Sequence, residues 1–318
     1  MKSEYVEMEK PVLDLEQSLS TLKEHARSTG VEMSDGLAAL EESIKVLKED
    51  FRKNISPWQK VLMARDTRRP QPQDLLNMIF TDFLELHGDR RFGDDPTIVG
   101  GFAMLDEYPV MVIATRKGHD PNEYMATHFG CAEPEGYRKA MRLMQLAEKA
   151  GRPVVTIIDT PGAYPGISGG ERHIGEAIAC NLRDMFRLTV PVISVITGEG
   201  GSGGALGLAV GNRVLIMENA YYSVITPEGC AAILWRTPEK VAEAASALKL
   251  TAPELLSLGV VDEIVPEPAS GAHNAPAEAA EKLKAALKKN LKRELKHSRR
   301  RLKENRYRRF RALGIFND

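Results

Sequence analysis

The chain has 318 residues, 43 Lys or Arg against 44 Asp or Glu, a formal net charge of -1 and 43% hydrophobic side chains, the make-up of an ordinary globular protein. No run approaches the roughly 18 apolar residues of a membrane span, and MKSEYVEMEKPVLDLEQ lacks the basic-then-apolar pattern of a secretory signal, so a cytoplasmic protein is expected. Cys131, Cys180 and Cys230 are odd in number and far apart; they fit neither a disulfide framework nor a paired zinc site and read as small core residues.

Two amphipathic stripes come first. Val12, Leu15, Leu19, Leu22 and Ala26 recur at helical spacing, as do Leu37, Leu40, Ile44, Leu47 and Phe51, with Ser34 or Asp35 as the N-cap between them. This predicts a helical hairpin in an N-terminal region spanning 1–70, packed on the body rather than extended as a coiled coil. The proline-rich link RRPQPQDLL then leads into a core over 71–268. There TIVGGFAML, YPVMVIATRKG, RPVVTIIDT, VPVISVIT and NRVLIMEN read as strands, alternating with helices such as Glu135–Ala150 and Glu171–Leu188. Alternation of this kind predicts an α/β architecture with mostly parallel pairing.

Residues 269–318 read as an exposed linker and a basic helical tail. Glu281–Arg311 holds 15 Lys or Arg against 3 Glu, with Leu283, Leu287, Leu291 and Leu295 four apart. Such a helix suits docking on an acidic surface, solvation, anionic lipid or nucleic acid. Docking or solvation is favoured over nucleic acid, because no aromatic residues interleave with the cations; Tyr307, Phe310 and Phe316 cluster at the end.

The densest signal is TGEGGSGGALGLAVGN, with six glycines among the ten residues Gly198–Gly207. It follows an apolar strand, as does the second glycine-bearing segment, DTPGAYPG. Both are expected to be turns from strand into helix, where exposed backbone N–H groups and the helix dipole favour an anionic oxygen. No Lys follows Gly203 or Gly204 as a phosphate loop requires, and Gly198, Gly200 and Gly203 match G-x-G-x-x-G only loosely. Gly200–Gly204 also fits G-x-S-x-G, so a serine acyl hydrolase using Ser202, Asp262 and His273 is the alternative. Against it, His273 lies in PEPASGAHNAP, which reads as exposed linker. The remaining use of so much bare backbone is an oxyanion hole of peptide N–H groups.

LHGDRRFGDDPTIVGGFA, DTPGAYPG, GEGGSGGALG and YSVITPEGCAAILW, in this order within a likeness that runs from near Val12 to about Pro268, resemble the alpha-subunit family of bacterial acetyl-CoA carboxylase carboxyltransferases. The resemblance implies a crotonase-like (ClpP/crotonase) spiral of ββα units. It implies carboxyl transfer from carboxybiotin, borne by a biotin carboxyl carrier protein, to acetyl-CoA, giving malonyl-CoA for fatty acid synthesis. The implied partners are a zinc-containing beta subunit that holds the acyl-CoA, in an α2β2 heterotetramer, and a biotin carboxylase, the component that uses ATP. No metal is expected in this chain. By the family pattern Gly203 and Gly204 supply the backbone oxyanion donors, where any side chain would exclude the ring, and Gly162, Ala163 and Tyr164 line the carboxybiotin pocket opposite. Here His173, Ile174 and Gly175 depart from the family pattern, so no polar role carries over to them.

LHGDRRFGDD, with His87, Asp89, Arg90 and Arg91, reads as a loop tied by salt bridges. In VITPEG, Glu228 reads as a carboxylate favoured by a helix N-terminus rather than a base.

Overall fold

The computed structural model describes residues 4–29 and 34–314. Helices α1 (Glu4–Thr29) and α2 (Ser34–Asn54) pack on each other with Lys23 ion-paired to Glu41 at 2.5 Å, so the predicted hairpin is present. Ile44 is buried, whereas Leu22 and Leu47 on the same stripes remain exposed. The side chains of Val12, Ser34, Asp35 and Phe51, and Phe316 in the tail, lie outside the described residues. A capping box between Ser56 and Gln59 starts α3 (Pro57–Ala64). The proline-rich link is not all loop. Pro72 sits in the first turn of α4 (Pro72–Ile79), where its missing N–H costs no hydrogen bond.

The sheet begins with β1 (Thr81–Glu85), β2 (Ile98–Leu105) and β3 (Tyr108–Thr115), paired antiparallel. After α5 (Pro121–Ala126) and α6 (Pro134–Lys149) come β4 (Val154–Thr160), α7 (Ile167–Glu171), α8 (Ile174–Met185), β5 (Val192–Gly201), α9 (Ser202–Leu206), β6 (Arg213–Met217) and β7 (Tyr221–Ser223). Helices α10 (Pro227–Leu234), α11 (Val241–Ala247) and α12 (Ala252–Ser257) precede β8 (Glu263–Val265), and α13 (Pro276–Glu294) and α14 (Arg299–Arg311) end the described chain. The strand order is β1-β2-β3-β4-β5-β6-β8, parallel from β3 onward, with β7 paired to the last part of β5.

Burial explains the sequence texture. Every residue of β4 and β5 is buried, which is why VVTII and VISVI run apolar without alternation. The pair α6 and α8, and the pair α4 and α13, close over the sheet. The architecture is α/β with a mixed sheet. Strands β1 and β8 were not expected: TDFLE is mostly polar and exposed at the sheet edge, and β8 has only three residues.

Of the readings open for the tail, docking on an acidic surface is the one seen, and the surface is the chain's own. Leu283, Leu287 and Leu291 are fully buried in the same core as the sheet, and only Leu295 of that row is exposed. Lys284 and Lys288 pair with Asp106 at 2.7 and 2.5 Å, and Lys289 pairs with Glu263 at 2.8 Å. The leucine row therefore docks on the chain's own body and is not available to lipid, nucleic acid or another subunit. In α14 the buried Arg306 guanidinium donates to the carbonyls of Met185, Leu188 and Val190 at 2.6, 2.8 and 3.0 Å. The supposed exposed linker is also corrected, since Ala272 and His273 are buried.

Candidate functional site

The glycine segment is not the expected turn. Strand β5 continues through it to Gly201, flanked by β4 and β7. The backbone there is crowded on several sides. A Cβ at Gly201 would lie 2.0 Å from the Pro161 carbonyl oxygen, and one at Gly200 would lie 2.9 Å from that of Tyr221. Bare backbone is what lets the 161–163 segment cross the strand end. The change of direction comes one residue later, at Ser202, whose φ of +47° turns the chain into α9.

No side chain caps α9 at Gly201, and the first four N–H groups of a helix have no partner within it. Gly203 and Gly204 belong to that set. A Cβ on Gly204 would stand 2.4 Å from the Gly162 carbonyl carbon and 2.5 Å from the Ala163 nitrogen, so the two glycine segments touch backbone to backbone. At Gly203 the nearest atoms would be those of Ile178 at 3.8 Å. Packing within this chain therefore leaves room for a small side chain at 203 but not at 204. The far end of α9 is held by the buried Tyr137, whose hydroxyl donates to the Gly204 carbonyl at 3.2 Å, and by Asn181, which donates to the carbonyls of Tyr137 and Gly207. Gly162, Ala163 and Tyr164 are half-buried. The Tyr164 N–H donates to the Ala132 carbonyl at 3.0 Å, and its ring stacks on His128 with centroids 4.1 Å apart.

Beside these strand ends lies an ionic cluster that sequence reading missed. Lys117 Nζ stands 2.6 Å from Asp159 Oδ1 and 2.9 Å from Glu199 Oε1. Glu199 Oε2 accepts from Arg65 Nε and the Tyr221 hydroxyl, each at 2.7 Å. Burial alone would push the Glu199 carboxyl up; Lys117 and Arg65 overcome it and pull the group down to about 2. Burial likewise disfavours charge on Lys117, yet Asp159 and Glu199 hold its ammonium well above the usual lysine range. The Asp159 carboxylate also accepts the Glu199 N–H at 2.8 Å, which ties β4 to β5 where both enter glycine segments. A cavity of about 220 Å³ opens here, bounded in part by Lys117, Phe129 and Pro161. The available signal was an acidic residue at each strand end, Asp159 before TPG and Glu199 between glycines.

Ser202 shows half of a nucleophile elbow, an exposed residue at a strained turn from strand to helix. The other half is missing. A cavity of about 600 Å³ opens at Ser202 and Gly203, and no histidine lines it. His273 packs beside Gly271 and Asn274. Asp262 is taken up by Arg309 at 2.8 Å and the Val214 N–H at 2.7 Å.

The remaining motifs are scaffolding. Asp89 accepts the N–H groups of Arg91, Phe92 and Gly93 and pairs with Arg138 at 3.0 Å, while Lys139 pairs with Asp94 at 2.5 Å; LHGDRRFGDD is thus a loop strapped to α6. Glu228 lies in the first turn of α10, as expected, and pairs with Arg65 at 2.5 Å.

Among known proteins, the family described as acetyl co-enzyme A carboxylase carboxyltransferase-like matches residues 5–314. An acetyl-coenzyme A carboxylase carboxyl transferase subunit alpha from Thermus thermophilus is 53% identical over 311 residues, 98% of each chain. That of Geobacter metallireducens is 53% identical over 317 residues, 99% of each chain. Among solved structures, transcarboxylase 12S superposes with a TM-score of 0.57 at 22% identity, over 75% of this chain and 44% of that one. A Pseudomonas malonate decarboxylase hetero-tetramer in complex with coenzyme A gives 0.56 at 21% identity, over 68% of this chain and 86% of that one. At such identities the solved structures speak for the fold alone.

Proposed function

The chain belongs to the acetyl co-enzyme A carboxylase carboxyltransferase-like family, as a carboxyltransferase alpha subunit, and we propose that its glycine-built strand end is the biotin side of the active site. It is a biotin-dependent transferase with a crotonase-like fold, and a serine hydrolase is not supported. The observation that carries the site assignment is the uncapped start of α9 at Gly203 and Gly204, lying in backbone contact with Gly162 and Ala163.

When bound, carboxybiotin supplies a transferable carboxyl group and a ureido oxygen that gains negative charge as that group departs. The residues present fit such a group. The N–H groups of Gly203 and Gly204 lack a side-chain cap and are proposed to donate to that oxygen. They do so without a titrating group and without reorganising, which is where preorganised donors are most effective. Gly162, Ala163 and Tyr164 are proposed to wall the pocket. The Lys117, Asp159 and Glu199 cluster keeps the two strand ends in register beneath both segments.

The name alpha subunit implies a beta subunit and acetyl-CoA as acceptor. Beyond that we propose an α2β2 assembly in the cytoplasm, serving a biotin carboxyl carrier protein charged by an ATP-using biotin carboxylase. No described helix is long and apolar enough to cross a membrane. The proposed division is a helical region over 1–70, the carboxyltransferase core over 71–268, and 269–318, whose described helices pack on that core. The test is malonyl-CoA-dependent carboxylation of free biotin by this chain mixed with its beta subunit. Turnover in the mixture and in neither chain alone is expected; esterase activity of this chain alone, abolished in Ser202→Ala, would overturn the assignment.

A further inference from the structure

Beside the Tyr164 ring lies a segment whose backbone is held against its own preference. His128 and Phe129 are consecutive non-glycine residues with φ of +46° and +57°, and Gly130 follows at +89°. Left-handed conformations at bulky residues persist only where the surroundings over-determine them, and they gather at functional sites. The surroundings here are specific. The Thr127 hydroxyl donates to the carbonyl of Lys117, and the Gly130 N–H donates to the Thr127 carbonyl at 2.8 Å. The Thr160 hydroxyl, at the end of β4, donates to the Gly130 carbonyl at 2.6 Å. The turn is thus keyed to the same strand end from which the 161–166 segment departs.

The strained turn delivers a ring. The His128 imidazole lies over the Tyr164 phenol with centroids 4.1 Å apart and planes 28° apart. Its Nε2 is 3.4 Å from Glu133 Oε1, and Glu133 is itself held by Arg172 and by the Ser168 hydroxyl at 3.1 Å. A Cβ on Gly166 would come within 2.4 Å of the Tyr164 ring, so that ring is confined by the 166 backbone as well as by the imidazole.

We propose that His128 is a positioning residue for the biotin pocket: anchored by Glu133 and by the left-handed turn, it fixes the orientation of the Tyr164 ring. The proposal rests on the reading of Tyr164 as a pocket wall. Its consequence concerns how well biotin is held rather than how fast the carboxyl group moves. An aromatic pair of this kind is worth about 2- to 10-fold in an equilibrium, and that is the expected rise in the KM for biotin when the stack is lost.

The experiment uses this chain assembled with its beta subunit and follows malonyl-CoA-dependent carboxylation of free biotin. His128→Asn keeps a residue that tolerates the left-handed backbone while removing the ring. It is expected to raise KM for biotin with kcat little changed. His128→Phe restores a ring without the Glu133 contact and is expected to bring KM part of the way back, which a purely structural role for the imidazole would not do. Thermal unfolding of each assembled variant identifies loss of fold, and His128→Tyr is a second rescue should the Phe variant not assemble. If Tyr164→Ala raises KM while His128→Asn does not, the positioning role is overturned and the pocket reading stands. If Tyr164→Ala leaves KM unchanged, the pocket reading falls and the proposal with it.

Discussion

Replacing Gly203 and Gly204 separately by Ala separates packing from chemistry within one helical turn. At Gly204 the new methyl carbon would sit 2.4 Å from the Gly162 carbonyl carbon and 2.5 Å from the Ala163 nitrogen, both backbone atoms, so the two segments must part. Overpacking of this sort costs about 1 to 3 kcal/mol. It also displaces the N–H groups at the start of α9. A donor aimed at a developing oxyanion is worth about 2.7 to 4 kcal/mol, or about 100- to 1,000-fold in kcat. At Gly203 the methyl would meet only Ile178 at 3.8 Å. The helical backbone there suits Ala, which stabilises by about 0.4 to 1 kcal/mol through the unfolded chain. Gly204→Ala should therefore unfold at lower urea and lose about 100-fold or more of biotin carboxylation in the complex. Gly203→Ala should unfold at equal or higher urea, and any turnover it loses would come from crowding the ligand. A Gly204→Ala chain as stable and as active as the parent would refute both the close approach and the donor role.

Ser202→Gly should relieve the left-handed strain at φ +47°, raise stability by about 1 kcal/mol, and retain carboxylation in the complex; loss of turnover would bring the hydroxyl back into the mechanism. Glu199, lowered from 4.5 to about 2, has a folded value below its unfolded one. Its contribution, up to about 3 kcal/mol, is present above pH 4.5 and drains away as the pH falls towards 2. Urea titrations at stepped pH should show Glu199→Gln less stable at pH 7 and with a shallower fall below pH 4.5, and identical slopes would contradict the pairing with Lys117 and Arg65. Arg306→Ala strips donors from three buried carbonyls and should cost about 3 kcal/mol or more, read as a lower unfolding midpoint; an unchanged midpoint would mean that α14 is dispensable to the fold.

Much of the architecture was legible along the chain because its determinants are local. The runs VVTII and VISVI announce strands buried on both faces, and the two amphipathic stripes announce the helical hairpin; the helix starts at Ser56–Pro57 and Pro72 were passed over, the latter inside a stretch read as link. The glycine segments were legible as places where backbone must come close, and their order and spacing carry the family resemblance. What each glycine is for was not legible. Gly201 and Gly204 are demanded by a crossing segment some forty residues earlier in the chain, whereas Gly203 is not, and a run of identical letters cannot distinguish them.

The basic tail shows the same limit: a cationic helix with a leucine row reads alike whether it covers its own core or a partner. Only the packed chain, with Leu283, Leu287 and Leu291 buried and Asp106 and Glu263 opposite the lysines, decides between them. The cluster of Lys117, Asp159, Glu199 and Arg65 and the stack of His128 on Tyr164 depend on residues between 36 and 134 positions apart in sequence. Periodicity and short motifs record what a residue does for its own strand or helix. Asp159 meets Glu199 because β4 and β5 pair in parallel. Lys117 arrives from the end of β3, Arg65 from the end of α3, and His128 and Tyr164 from the segments on either side of β4, and those meetings are properties of the whole packed chain.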